Sequence, residues 1–132
     1  MAIAGPLERV IMEALWDAGE PLLIRAVQER VNARASKPSA YTTVQTVADR
    51  LVQKGFLVRT PDRNAFRYAP THSREDHIAE VMVEALAGVS DRGPALARFA
   101  ASIDPQDAHR LLLELAHRSR PPDPSSAGDD ER

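Results

Sequence analysis

Thr42, Thr43, Gln45 and Thr46 form a short polar, uncharged run inside the most regular helical pattern of the chain. A solvated helix face ordinarily carries Glu and Lys, and threonine is a poor helix former. Its repeated use here points to contacts rather than to propensity. Glutamine can pair bidentately with adenine, and threonine offers thymine a hydroxyl and a methyl group, so this set suits base-pair edges. Around it stand Lys37, Arg50, Lys54, Arg59, Arg63 and Arg67, against only Asp49 and Asp62, a local excess of four positive charges over residues 36–70. Cations of that kind suit phosphates. Taken alone, the stretch is equally compatible with an ordinary amphipathic helix.

The elements that must position these side chains can be read from periodicity. From Ser39 to Gly55, residues Val44, Val47, Ala48, Leu51 and Val52 recur at three- and four-residue steps and form a buried stripe. Thr42, Gln45, Thr46, Asp49 and Gln53 fall largely off it. The start of this helix would aim free N–H groups at a phosphate, and Gly55 closes it where a left-handed residue is wanted. Upstream, Leu7, Val10, Ile11, Ala14 and Leu15 mark a first helix that follows Gly5-Pro6 and runs through Trp16 until Gly19 and Pro21 stop it. Trp16 reads as a core or interface anchor. A short extended piece, Leu22-Leu23-Ile24, leads into a second helix with Ala26, Val27 and Val31, ending near Ala35. Leu23 is a poor N-cap for it. Ser36-Lys37-Pro38-Ser39 is a turn.

After Gly55 the period becomes alternating. Phe56–Thr60 and Ala65–Ala69 read as strands, Pro61-Asp62-Arg63-Asn64 as the turn between them, and Pro70 as the end. The result is a two-stranded hairpin with Arg63 at its tip and Arg59 and Arg67 on its strands. Three helices followed by such a hairpin is the order of a winged helix-turn-helix. Beyond a linker, Thr71-His72-Ser73, a fourth helix carries Ile78, Val81, Met82, Ala85, Leu86 and Val89. Gly93-Pro94 interrupts, and Leu96, Phe99, Ala100 and Ile103 form another stripe. Asp104-Pro105-Gln106-Asp107 is a strong helix start, and Ala108, Leu111, Leu112 and Leu115 follow. Each of these helices has one apolar stripe and cannot bury it alone. Packing against a second copy would do so, which predicts a homodimer; folding back on the first domain is the alternative.

The expected fold class is therefore mainly α with a small β-hairpin. It comprises a winged helix-turn-helix DNA-binding domain over residues 1–70, a helical dimerisation region over 71–119 and a disordered Pro/Asp/Ser-rich tail over 120–132. The 132 residues have a net charge of −2, but residues 1–70 carry +3 and residues 71–132 carry −5. A basic patch on an acidic chain argues for a defined site rather than general polyanion binding. There is no cysteine, which fits a reducing cytoplasm and removes thiolate metal sites and cysteine nucleophiles. No signal peptide and no apolar run of membrane-spanning length is recognisable. The rival class, an enzyme, finds no H-E-x-x-H, no Gly-rich phosphate loop and no G-x-S-x-G. His72 and His77, and His109 and His117, are read as solvent-facing, and Glu80 with Glu84 as a solvated helix face. No metal and no cofactor is expected. A winged helix used only for protein contacts is the remaining rival; it would more often expose apolar residues where Thr42, Gln45 and Thr46 stand.

Leu7-Glu8-Arg9 with Trp16, Tyr41-Thr42-Thr43-Val44, Arg50-Leu51, Lys54-Gly55 and Phe66-Arg67-Tyr68-Ala69-Pro70 resemble the penicillinase-repressor family (BlaI/MecI/CopY type) over about residues 5–117. The stretch from Leu96 and Phe99 to Asp104 and Asp107 is similar to that family's dimerisation region. The resemblance implies a dimeric transcriptional repressor on a palindromic double-stranded DNA operator, with the third helix in the major groove. Carried over, Thr42, Thr43, Gln45 and Thr46 would meet bases, while Tyr41, Arg50, Lys54, Arg63 and Arg67 would hold the backbone. Ile78, Val81, Met82, Ala85, Leu86, Phe99, Leu111, Leu112 and Leu115 would form the dimer contact. It further implies a membrane sensor protease as a partner that cuts near Arg98-Phe99. Two departures stand out: Leu23 occupies a position where the family often has Thr or Ser, and the cysteine ligands of copper-responsive members are absent.

Overall fold

The computed structural model describes residues 2–118, so the expected tail at 120–132 lies outside the described residues. The chain divides into two compact units, the first ending at Ala85 and the second beginning at Leu86. The first unit therefore reaches fifteen residues past the expected boundary at Pro70, because the fourth helix begins on it.

In the first unit, α1 (Pro6–Ala18), α2 (Ile24–Arg34) and α3 (Tyr41–Gln53) surround one core. Ile11, Leu15, Val27, Val31, Val44, Ala48 and Leu51 are all essentially inaccessible in it. The α3 stripe is as expected, with Val52 half-buried at its margin. The helix starts two residues later than Ser39, and Ala40 is its N-cap. It ends in a Schellman arrangement. Gly55 has φ +86°, its N–H donates to the Val52 carbonyl at 3.0 Å, and the Phe56 N–H donates to the Leu51 carbonyl at 3.0 Å.

The strands differ from expectation in two ways. β1 (Leu22–Leu23) is a genuine strand, so the sheet has three antiparallel strands in the order β1-β3-β2 rather than two. Leu22 pairs with Tyr68 and Leu23 with Arg67. β2 (Leu57–Asp62) and β3 (Ala65–Pro70) also run longer, leaving only Arg63-Asn64 as the loop. Pro61 lies inside β2, opposite Phe66. A proline is tolerated there because β2 is an edge strand.

α4 (Arg74–Ala87) starts on the first unit through polar and aromatic contacts with α1. The Arg74 guanidinium donates to Glu13 at 2.7 and 3.0 Å and to Asp17 at 2.7 Å, and Asp17 also pairs with Arg34. Trp16 Nε1 donates to the His72 carbonyl at 2.9 Å. His77 is not solvent-facing as the sequence suggested. Its ring lies half-buried, 5.4 Å from Trp16 and 5.7 Å edge-on from Phe56, because the α4 start brings it onto that pair. The second unit contains α5 (Gly93–Ser102) and α6 (Pro105–Arg118). The expected cap is present: Asp104 Oδ1 accepts from the Gln106 N–H at 2.8 Å. None of α4, α5 and α6 has a buried side chain.

Candidate nucleic-acid interface

The side of α3 away from the core presents Tyr41, Thr42, Thr43, Thr46 and Arg50, all exposed, with Gln45 half-buried beside them. Ala40 supplies no side-chain acceptor to the first turn, so the leading N–H groups of α3 are left for water or an external acceptor. The turn before it is pinned. Asn32 exchanges two hydrogen bonds with the Ser39 backbone, at 2.7 and 3.2 Å, and Gln28 donates to the Ser39 carbonyl at 3.2 Å. Those two residues of α2 fix the entry angle of α3, and periodicity offered no sign of them.

The basic side chains fall into two groups. Arg50 and Arg63 have no carboxylate within ion-pair distance among the described residues, whereas Lys54, Arg59 and Arg67 each have one. Arg67 Nε donates to Asp62 Oδ2 at 2.7 Å, but both groups are exposed. Such a pair is worth about 0–1 kcal/mol and can exchange for a phosphate. Lys54, expected at the DNA backbone, differs in having a buried partner. Its Nζ donates to both Glu8 oxygens, at 2.9 and 3.1 Å, and Glu8 is 3% exposed. Glu8 also accepts from the Ala4 N–H at 2.7 Å. Burial pushes the Glu8 carboxyl up. The Lys54 and Ala4 hydrogen bonds and the positive charges of Lys54 and Arg50 outweigh it and hold the pKa below the usual glutamate range. Lys54 anchors the end of α3 to the start of α1.

The wing tip carries strain. Arg63, the first residue of the two-residue loop, has φ +58°, the only positive φ outside glycine among the described residues. Glycine or asparagine is favoured at such a position. On the face of the wing toward α3, the Tyr68 hydroxyl donates to Asp49 Oδ1 at 2.6 Å and Arg59 Nη1 donates to the same oxygen at 3.2 Å. Tyr68 is buried, and that burial, followed by the Asp49 contact, pushes its phenol up to about 12. A raised acid pKa contributes stability that is complete below the ordinary tyrosine value and disappears as pH rises through the folded one. We therefore expect stability to fall between about pH 10 and pH 12, with a phenolate signal for Tyr68 that develops late in that window while the fold persists. The difference between wild-type and Tyr68→Phe absorbance titrations reads it directly; a Tyr68 signal complete by pH 10 contradicts it.

Of the residues expected at the dimer contact, Ile78, Val81, Met82, Phe99, Leu111, Leu112 and Leu115 are all at least 40% exposed, and Leu86 is half-buried. Ala85 is exposed on the same helix as Met82. Arg98 and Phe99 lie inside α5, where the Phe99 carbonyl accepts from the Ile103 N–H at 3.1 Å. A protease would need that helix to open before it could take the bond between them.

The sequence pattern of the penicillinase repressor family matches residues 4–117. The chain belongs to the penicillinase repressor family. The transcriptional regulator BlaI of Mycobacterium tuberculosis, in strains CDC 1551 / Oshkosh and ATCC 25618 / H37Rv, is 40% identical over 126 residues, covering 89% of this chain and 90% of each relative. A chain of the solved complex structure of hsRosR-S4 matches the fold with a TM-score of 0.51 at 20% identity, over 82% of this chain and 92% of that one. The fold is a winged helix-turn-helix. Penicillinase repressors are transcriptional regulators rather than enzymes, and this member of the family is one. Among the described residues no helix is long and apolar enough to cross a membrane.

Proposed function

We propose that this repressor is a homodimer that reads a palindromic operator, with α3 in the major groove and the wing tip on the backbone. The observation that carries this reading is the α3 outer face. It exposes Thr42, Thr43 and Thr46 beside Arg50, on a helix whose first N–H groups have no side-chain cap. The same unit holds Arg63, without an ion-pair partner among the described residues, at the tip of the hairpin. A protein-binding surface would be expected to place apolar side chains where those threonines stand. In this arrangement Gln45 and Thr46 choose bases, and Tyr41, Arg50, Arg63 and Arg67 position the duplex. Ile78, Val81, Met82, Ala85, Leu86 and Phe99, with the α6 leucines, join the two protomers. Two copies would then set half-sites roughly one helical turn apart.

The test is fluorescence anisotropy on the duplex upstream of the chain's own gene against a scrambled duplex, over a salt series. Gln45→Ala should cost on the order of 1–3 kcal/mol on the operator and relax one position. An equal loss on both duplexes would refute base reading by Gln45. Arg63→Gly separates binding from stability. Relieving the left-handed arginine should stabilise the fold by up to about 1 kcal/mol. Losing its charge should weaken all DNA and lower the salt slope by about one. If Arg63→Gly raises the melting temperature and leaves the salt slope intact, the tip does not touch phosphate.

A further inference from the structure

Asp49 is an acid on the helix proposed to face a polyanion, and the basic segment around it has only one other acid, Asp62. Left bare, it would repel phosphates. It is not bare. One of its oxygens, Oδ1, takes both the Tyr68 hydroxyl and the Arg59 guanidinium. Arg59 and Tyr68 are cross-strand partners on β2 and β3. Phe66 lies two residues before Tyr68 on the same strand face, and the Arg59 guanidinium sits 4.4 Å from its ring centroid. Thus one carboxylate on α3 ties both wing strands, and the arginine that neutralises it is itself held by an aromatic ring. Tyr68 is buried, so this end of the tie cannot shift without opening the core.

We infer that Asp49 is a positioning residue: by clamping Tyr68 and Arg59 it sets the wing against α3 and so governs selectivity among DNA sequences. The inference rests on the DNA-binding reading above. It differs from simple charge repulsion in what it predicts for the preference between duplexes. If Asp49 only repelled DNA, removing its charge would strengthen binding to every duplex alike. If it positions the wing, Asp49→Asn releases Arg59 toward phosphate, so affinity for unrelated DNA rises and its salt slope steepens by roughly one. The preference for the cognate duplex meanwhile falls, because wing and helix no longer dock in one fixed relation.

The experiment uses the full chain and the best duplex recovered by wild-type selection from a random library, with a scrambled duplex as comparison. We expect Asp49→Asn to lower the selected-to-scrambled affinity ratio on the order of tenfold while binding the scrambled duplex more tightly than wild type. Arg59→Gln should lower the ratio too, but weaken scrambled binding, since it uncovers Asp49. Tyr68→Phe, which removes only one donated hydrogen bond, should lower the ratio with little change on scrambled DNA, and it decides the question if Asp49→Asn melts the wing. Unchanged ratios in these variants overturn the positioning role and leave the DNA reading standing. No preference in the wild type overturns both.

Discussion

Leu112→Asp is expected to convert the proposed homodimer into a monomer and to reduce affinity for the proposed operator by about two orders of magnitude or more. Leu112 is 65% exposed on α6, so within one protomer the substitution touches little. Surface changes of that kind ordinarily stay within about 0.5 kcal/mol. Single exposed leucines are common on soluble proteins. Three successive helices without one buried side chain are not, and α4, α5 and α6 are such helices. In a twofold assembly each substitution acts twice. Losing the burial of one leucine costs about 2 kcal/mol, so the pair costs about 4 kcal/mol, close to a thousandfold in the dimer Kd. Desolvation of the new carboxylate adds to that. Uncoupling the two half-sites then removes the gain of linked binding, typically 10²–10⁴-fold. Sedimentation velocity and operator titration of the same samples check both parts. A dimeric Leu112→Asp protein that binds normally would place the contact between copies elsewhere.

Glu8→Ala is expected to destabilise the first unit by about 3 kcal/mol, the low end for breaking a buried ion pair, because Lys54 retains some access to water. Lys54→Ala should behave similarly, since it strands Glu8 with only the Ala4 N–H. For a unit of this size that is a fall in Tm on the order of 10 °C or more. The pair also sets an acid dependence. The folded pKa of Glu8 lies below the unfolded one, so the contribution is complete above the usual glutamate range and is lost as pH falls through the folded value. Thermal melts of wild type and Glu8→Gln should therefore converge in the acid region and separate toward neutral pH. The salt slope of DNA binding should not change in Lys54→Ala. A slope lowered by about one with an unchanged Tm would return Lys54 to the phosphate contacts.

How much of this was legible in the sequence depends on the range of the interactions. The α3 stripe, its polar outer face and the Gly55 stop follow from neighbours three to five residues apart, and all three are present. So is the Asp104 cap. What escaped depends on partners far along the chain. Leu22-Leu23 becomes a strand only because β3 lies beside it, some 45 residues later. Pro61 reads as a breaker until its strand is known to be an edge. Lys54 reads as a free cation because its partner, Glu8, is 46 positions away. His77 reads as solvated, and Asp49 only as lying off the buried stripe, for the same reason: Trp16, Phe56 and Tyr68 reach them only in the folded chain. One signal was available for Glu8. An acid in the first turn of a helix, three residues after Gly5, is placed to reach back to a preceding N–H, as it does.

The most direct test of the central claim is selection of bound duplexes from a random library, run with the wild-type chain and with a Thr42/Gln45/Thr46→Ala triple variant. We expect the wild type to enrich an inverted repeat whose half-sites lie roughly one helical turn apart, and the triple variant, folded and in the same oligomeric state as the wild type, to lose the repeat while keeping weak, salt-sensitive binding. Enrichment of the same repeat by the variant, or of no repeat by the wild type, would contradict it.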